Sequence, residues 1–317
     1  MMRVMVTGAR GKVGRAAVAA LQRAGHHVVA TDLGEPEFDT PPPGTAPYVK
    51  TDLTDAGQVY ALVGGASVGE GPRPGPFEAV VHAGAIPAPG RHAPHVVFGN
   101  NLTATFNVVE ACVRWGVPRL VNISSETVPG FIFAERPFTP EYLPLDEAHP
   151  VRPQDPYALA KFFGEQLCDA AVSRSGLRCI SIRPTWVQNA ETYHRNLGPF
   201  FADRAKASVT GWSYIDADDL AEAIRLAVES DLPGHEVMCI AAEDTIGGRD
   251  LHAAWRMAYP DSTTRLRPVS RPDASGIDTT KARTLLGWRP TRSWRDYLTD
   301  DGQRLTAAGP IDKRRRD

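Results

Sequence analysis

Three glycines, Gly8, Gly11 and Gly14, stand at three-residue spacing directly behind the apolar run at residues 3–6 and at the mouth of a helix-forming stretch. Strand, glycine turn and helix in that order constrain the fold more than any other feature of the chain. Gly8 permits a tight turn, Gly11 lets the backbone approach a pyrophosphate, and Gly14 lets the helix pack closely. The helix N-terminus then offers unpaired N–H groups and a partial positive charge to phosphate oxygens.

The rest of the chain continues the pattern. Strand-like runs at 27–31, 48–51, 79–82, 120–124 and 178–183 alternate with helix-like runs at 12–24, 55–63, 96–115 and 156–174. Such alternation builds a doubly wound parallel α/β sheet with helices on both faces. Residues 34–47 and 64–76 carry so much Gly and Pro that they read as surface loops. Beyond Pro184 the alternation weakens, resumes with a helix at 218–230 and a strand at 236–240, and gives way to a helical C-terminal part.

Composition excludes several classes. Lys and Arg total 35 against 37 acidic residues in 317, so nothing points to nucleic acid. The basic run at 313–316 reads as a solvated tail. Cys112, Cys168, Cys179 and Cys239 lie far apart with no C-x-x-C spacing, which suggests neither a metal site nor a disulfide framework and fits a reducing cytoplasm. No window reaches the ~18 uncharged apolar residues of a membrane span, and no signal peptide is expected.

Asp32 ends the second strand 18 residues after Gly14, where a carboxylate would accept hydrogen bonds from ribose hydroxyls and repel a 2′-phosphate. Arg10 could partly offset that repulsion. Asp52 and Leu53 could frame an adenine, or Asp52 could serve a helix cap. Tyr157 and Lys161 stand four apart on one helix face, where an ammonium would lower the phenol's pKa from its usual ~10. Ser124 and Ser125 end a strand at the edge of the ligand crevice.

Taken together, these elements resemble an extended short-chain dehydrogenase/reductase of the NAD-dependent epimerase/dehydratase family. The resemblance is carried by Thr7-Gly8-x-x-Gly11-x-x-Gly14, Asp32, Asp52-Leu53, His82-Ala83-Gly84-Ala85, Asn101, Ser124-Ser125, Tyr157-x-x-x-Lys161 and Arg183-Pro184. Later blocks at 214–224 and 279–290 extend it over nearly the whole chain. It implies a Rossmann domain at 1–184 plus 213–242, and a smaller, mainly helical substrate lobe at 185–212 plus 243–317. It implies catalysis by Ser125, Tyr157 and Lys161, with Ser125 rather than Ser124 orienting substrate. NAD would be held by Gly8, Arg10, Gly11, Lys12 and Val13, by Asp32, Asp52 and Leu53, and by Ala83, Gly84, Ala85, Asn101, Tyr157, Lys161 and Pro184. Asn101 could instead make an ordinary buried contact. A homodimer through the helices at 96–115 and 156–174 is also implied.

Two departures bear on the reaction. Family dehydratases and decarboxylases place a Glu two residues after the catalytic hydroxyl, whereas Thr127 stands here, with Glu126 one residue earlier and Pro129 in place of a frequent aromatic. Only about thirty residues separate Arg183-Pro184 from the Tyr214 block, fewer than in typical nucleotide-sugar epimerases. His194, Arg195, Arg204 and Lys206 in that stretch could meet an anion or simply face solvent, and Arg91, His92 and His95 lie in a loop near the expected pocket. The leading expectation is an epimerase of a sugar or nucleotide sugar. A dehydrogenase of a free sugar or similar small alcohol is the alternative, and a cofactor-sensing binding protein is a third reading.

Overall fold

The structure, a computed structural model, describes residues 1–35, 44–65 and 77–305. The loops at 34–47 and 64–76 therefore fall largely outside the described residues, as does the basic run at 313–316. In chain order the elements are β1 (Arg3–Thr7), α1 (Lys12–Arg23), β2 (His27–Asp32), β3 (Tyr48–Lys50), α2 (Ala56–Val63), β4 (Ala79–His82), α3 (Pro94–Trp115) and β5 (Arg119–Ile123). There follow β6 (Tyr142–Leu143), α4 (Pro156–Arg174), β7 (Arg178–Pro184), β8 (Val187–Gln188), α5 (Tyr193–Ala202), β9 (Ile215–Asp216), α6 (Ala217–Glu229), β10 (His235–Ile240), α7 (Leu251–Ala258), β11 (Arg265–Leu266) and α8 (Thr280–Leu286).

Seven strands form one parallel sheet in the order β10-β7-β5-β4-β1-β2-β3. The chain winds outward from β1 to β3, then crosses back to β4 and winds the other way. β1 and β4 are thus neighbours at the point where the order reverses, and a ligand crevice opens beyond their carboxyl ends. Strands buried on both faces read as continuous apolar runs, and β4 (Ala79–His82) is buried at every position. One apolar cluster, including Val4, Leu21, Val81, Ile182, Leu220 and Trp288, fills one face under α1 and α6. Another, including Met5, Leu62, Phe77, Val108 and Leu120, fills the other under α2, α3 and α4.

A third cluster belongs to the smaller lobe and gathers Phe131, Leu143 and Leu145 with Tyr193, Leu197, Trp212, Tyr214, Trp255 and Trp294. The segment between β5 and α4 therefore packs with the lobe, and β6 pairs with β11. The lobe's helices α5 and α7 are short, of 10 and 8 residues, while α8, of 7 residues, packs through Ala282 against the sheet near β10 and α6. Among the described residues no helix is long and apolar enough to cross a membrane.

Candidate active site at the switch point

The glycine loop is built by close approach. Gly8 has φ +63°, and a Cβ there would lie 2.6 Å from the Gly84 backbone nitrogen and 2.7 Å from the Ala83 carbonyl. Only glycine lets the β1 and β4 turns touch. A Cβ on Gly14 would lie 2.1 Å from the Gly8 carbonyl oxygen, so Gly14 packs against its own loop rather than against the sheet. Gly11 faces open space apart from the Gly8 oxygen at 3.2 Å. It is the N-cap of α1, supplies no side-chain cap, and no acidic residue occupies the first turn. The first-turn N–H groups of Lys12 and Val13 have no intrahelical acceptor, so the loop fits a diphosphate by both shape and charge.

A buried hydrogen-bond chain fixes the facing turn. Thr7 Oγ1 accepts from the Ala83 and Gly84 N–H groups, both at 3.1 Å, and therefore donates to His82 Nδ1 at 2.9 Å. The other ring nitrogen meets Thr105 Oγ1 at 3.1 Å, and Thr105 donates to the Asn101 carbonyl. The chain closes only if His82 is neutral with its proton on Nε2. Burial enforces this by pushing the imidazole down to about 3, with Lys161 adding to the effect. Asn101, expected near the cofactor, spends both amide atoms on the Ile86 backbone, at 2.8 and 2.9 Å. It anchors the loop that holds Ala83, Gly84 and Ala85.

At the rim, the Asp32 carboxylate accepts from Arg10 N–H at 2.9 Å and Leu33 N–H at 2.8 Å. The Arg10 guanidinium donates to the Glu35 carbonyl. Asp52 holds the Thr54 turn, and the α2 cap is Asp55 instead. Leu53 reaches Gly84, whose Cβ would lie 2.5 Å from a Leu53 methyl. Lys12 Nζ points the other way and donates to the Val187 carbonyl at 2.7 Å, a link to the lobe that no local pattern announces.

The groups expected to react follow β5 and stand on α4, with β7 paired alongside. Past β5 the backbone stays paired to β7, with Ser124 N–H on the Ile182 carbonyl and Glu126 N–H on that of Pro184. Asp155 caps α4 by accepting from the Tyr157 and Ala158 N–H groups, both at 2.9 Å, and so places Tyr157 in the first turn. Tyr157 hydrogen-bonds Ser125. Ser124, in contrast, donates to Glu165 at 2.5 Å, and Glu165 takes a bidentate pair of bonds from Arg183 at 2.8 and 2.7 Å. The pair is buried and sits beneath the site.

The expected lowering of the phenol's pKa is not met. Burial pushes Tyr157 up to about 12 against the Ser125 hydrogen bond, with Asp155 and Glu126 adding to the rise. Lys161 lies with Nζ 5.8 Å from the Tyr157 ring centroid and donates instead to the Ile123 carbonyl at 2.6 Å. Burial lowers Lys161 to about 8, opposed by Glu165. Desolvation therefore outweighs the Ser125 hydrogen bond in this arrangement.

One grouping escaped the linear reading. Cys168, Cys179 and His235 present ligand-type atoms within 4.8 Å of one another, brought together from α4, β7 and β10. Both ring nitrogens of His235 are engaged, by Asp169 at 2.6 Å and Ser181 at 2.8 Å.

Comparison with known proteins agrees with this geometry. L-arabinose 1-dehydrogenase (NAD(P)(+)) of Haloferax volcanii is 28% identical over 239 residues, 74% of this chain and 85% of the relative. UDP-glucose 4-epimerase of Streptomyces lividans is 24% identical over 318 residues, 91% of this chain and 92% of the relative. A crystal structure of UDP-galactose 4-epimerase superposes with TM-score 0.63 at 28% identity, covering 92% of this chain and 94% of that one. The model of the NAD dependent epimerase/dehydratase family matches residues 4–241, and the chain belongs to that family.

Proposed function

We propose that this chain is an NAD-dependent dehydrogenase of a free sugar or a similarly small secondary alcohol. The observation that carries the choice is how the smaller lobe uses its cations. Arg204 donates to the Gly247 carbonyl at 2.7 Å, and Arg249 donates to the carbonyls of Ile246, Phe200 and Asp203. Arg292 pairs with Asp218, Arg295 with Asp244, and Lys206 lies over the Phe200 ring at 5.4 Å. Arg249 is buried, and the others, though at the surface, are each engaged by a carbonyl, a carboxylate or a ring, whereas an anionic nucleotide diphosphate needs cations that are free to meet it. Dehydrogenases are also present among the relatives.

Gly8, Gly11 and the backbone of Arg10, Lys12 and Val13 would hold the NAD pyrophosphate, Asp32 the adenosine ribose, and Ala83 to Ala85 with Pro184 the nicotinamide end. When bound, NAD accepts the hydride. Ser125 orients the substrate hydroxyl and Tyr157 takes its proton. Its phenolate is favoured once the Lys161 ammonium turns from the Ile123 carbonyl toward the ring. Exposed Val96 and Phe106 on α3 and Phe163 on α4 suit a homodimer face.

The second reading, an epimerase with retained cofactor, is supported by epimerase relatives that span most of the chain. The two separate on one assay, in which free sugars and nucleotide sugars are each incubated with NAD while NADH absorbance and product stereochemistry are followed. Stoichiometric NADH from free sugars supports the proposal. Epimerised nucleotide sugar with no net NADH overturns it.

A further inference from the structure

The oxygens that follow Ser125 have no partner. Glu126 Oε2 and Thr127 Oγ1 are both buried without a hydrogen bond, while the backbone N–H groups of both residues are engaged. Glu126 N–H donates to the Pro184 carbonyl at 3.1 Å, and Thr127 N–H donates to Ser125 Oγ at 3.1 Å. The Glu126 carboxyl accepts from the Trp186 N–H and lies close enough to Tyr157 for its charge to raise the phenol. Buried polar atoms are almost always paired, so two adjacent orphans beside Ser125 and Tyr157 call for a ligand oxygen.

We propose that Glu126, with Thr127 beside it, is a specificity-determining residue that hydrogen-bonds the hydroxyl vicinal to the reacting carbinol, so that the site takes polyhydroxylated substrates over simple alcohols. This rests on the reading of Ser125 and Tyr157 as the groups at the reacting oxygen. The Glu126 carboxyl follows Ser125 by one residue and lies near Tyr157, which assigns it the oxygen next to the reacting one. Burial then sets the chemistry by raising the Glu126 carboxyl to about 8, against the Trp186 hydrogen bond, so at neutral pH Oε2 carries or shares a proton that it can donate. The titratable group that feels its charge is Tyr157. Above about 8 the carboxylate would add negative charge beside Tyr157 and lose its donor.

The test compares L-arabinose with 2-deoxy-L-arabinose as substrates for wild type, Glu126→Ala and Glu126→Gln, within a panel that also holds D-galactose and D-glucose. Wild type should prefer the intact sugar by about tenfold to a hundredfold in kcat/KM. Glu126→Ala should lose that preference, and Glu126→Gln, which keeps a neutral donor, should retain most of it. The wild-type rate should also decline relative to Glu126→Gln as pH rises through about 8. Melting gives a substrate-free reading. The folded carboxyl holds its proton to higher pH than the unfolded one, so wild type should lose stability relative to Glu126→Gln between pH 4.5 and about 8. An unchanged preference in Glu126→Ala, or a melting gap that stays flat across that window, overturns the proposal and leaves the dehydrogenase reading standing. Absence of NADH from every sugar in the panel overturns both.

Discussion

The cofactor half and the smaller lobe solve opposite problems. Around β1 and β4, internal polar groups pair off neatly, from Thr7 through His82 and Thr105 to Asn101, and the N–H groups at the start of α1 are left open. In the lobe, charged and hydroxyl groups are spent on holding distant segments together. Tyr214 donates to Asp244 at 2.6 Å and accepts from Trp294 N–H, while Asp219 of α6 gathers Thr291 and Arg292 where the C-terminal segment meets the sheet domain. One half keeps its binding capacity for a ligand that never changes. The other uses much of its charge on architecture, and on the reading proposed above shape and the orphaned oxygens after β5 choose the substrate.

The sharpest attack on this contrast is Tyr157→Phe, which removes the proposed proton carrier without touching the glycine loop. It should lower kcat by about 10²–10⁴-fold while cofactor binding, followed by fluorescence, stays intact. Unchanged turnover would place the chemistry elsewhere. Next comes Arg183→Met, which strands Glu165 in the interior and should cost about 3–5 kcal/mol by denaturant unfolding. The double change Arg183→Met with Glu165→Met should recover much of that loss.

Gly8→Ala should cost about 1–3 kcal/mol for its left-handed backbone alone, and it should weaken NAD binding because its Cβ meets Gly84. Asp32→Asn removes one charge at the ribose rim and should shift preference toward NADP by about 1 kcal/mol, read from the ratio of kcat/KM values. The smallest effect is expected at Arg204→Ala. It loses one exposed bond, worth about 0.5–1.5 kcal/mol, with free-sugar kcat/KM unchanged. A large drop for nucleotide sugars alone would break the contrast and favour epimerisation.

The sheet was legible because each of its strands is a short apolar run bounded by turns. Expected and observed boundaries differ by a residue or two, as at β5, expected at 120–124 and found at Arg119–Ile123. The lobe was harder to read. Two-residue strands such as β8 and β9 carry no periodicity, and α5 hides its buried Tyr193, Leu197, Phe200 and Phe201 behind Gly198 and Pro199. Within the site, the spacing of Tyr157 and Lys161 marked the residues but not their electrostatics. Only the three-dimensional packing shows that Lys161 is tied to Ile123 and that burial dominates the phenol. The unpaired Glu126 oxygen was likewise invisible, because it is a property of surroundings rather than of spacing.

By itself, the sequence determined the parallel sheet, the open helix end behind three glycines and the spacing that sets Tyr157 and Lys161 on one helix. These depend on backbone periodicity and on neighbours at most a few turns away. Tertiary structure decided the rest: the reach of Lys12 to Val187, the convergence of Cys168, Cys179 and His235, and the commitment of the lobe's arginines. Hydrogen bonding and desolvation act over a few ångströms in space, whatever the distance along the chain.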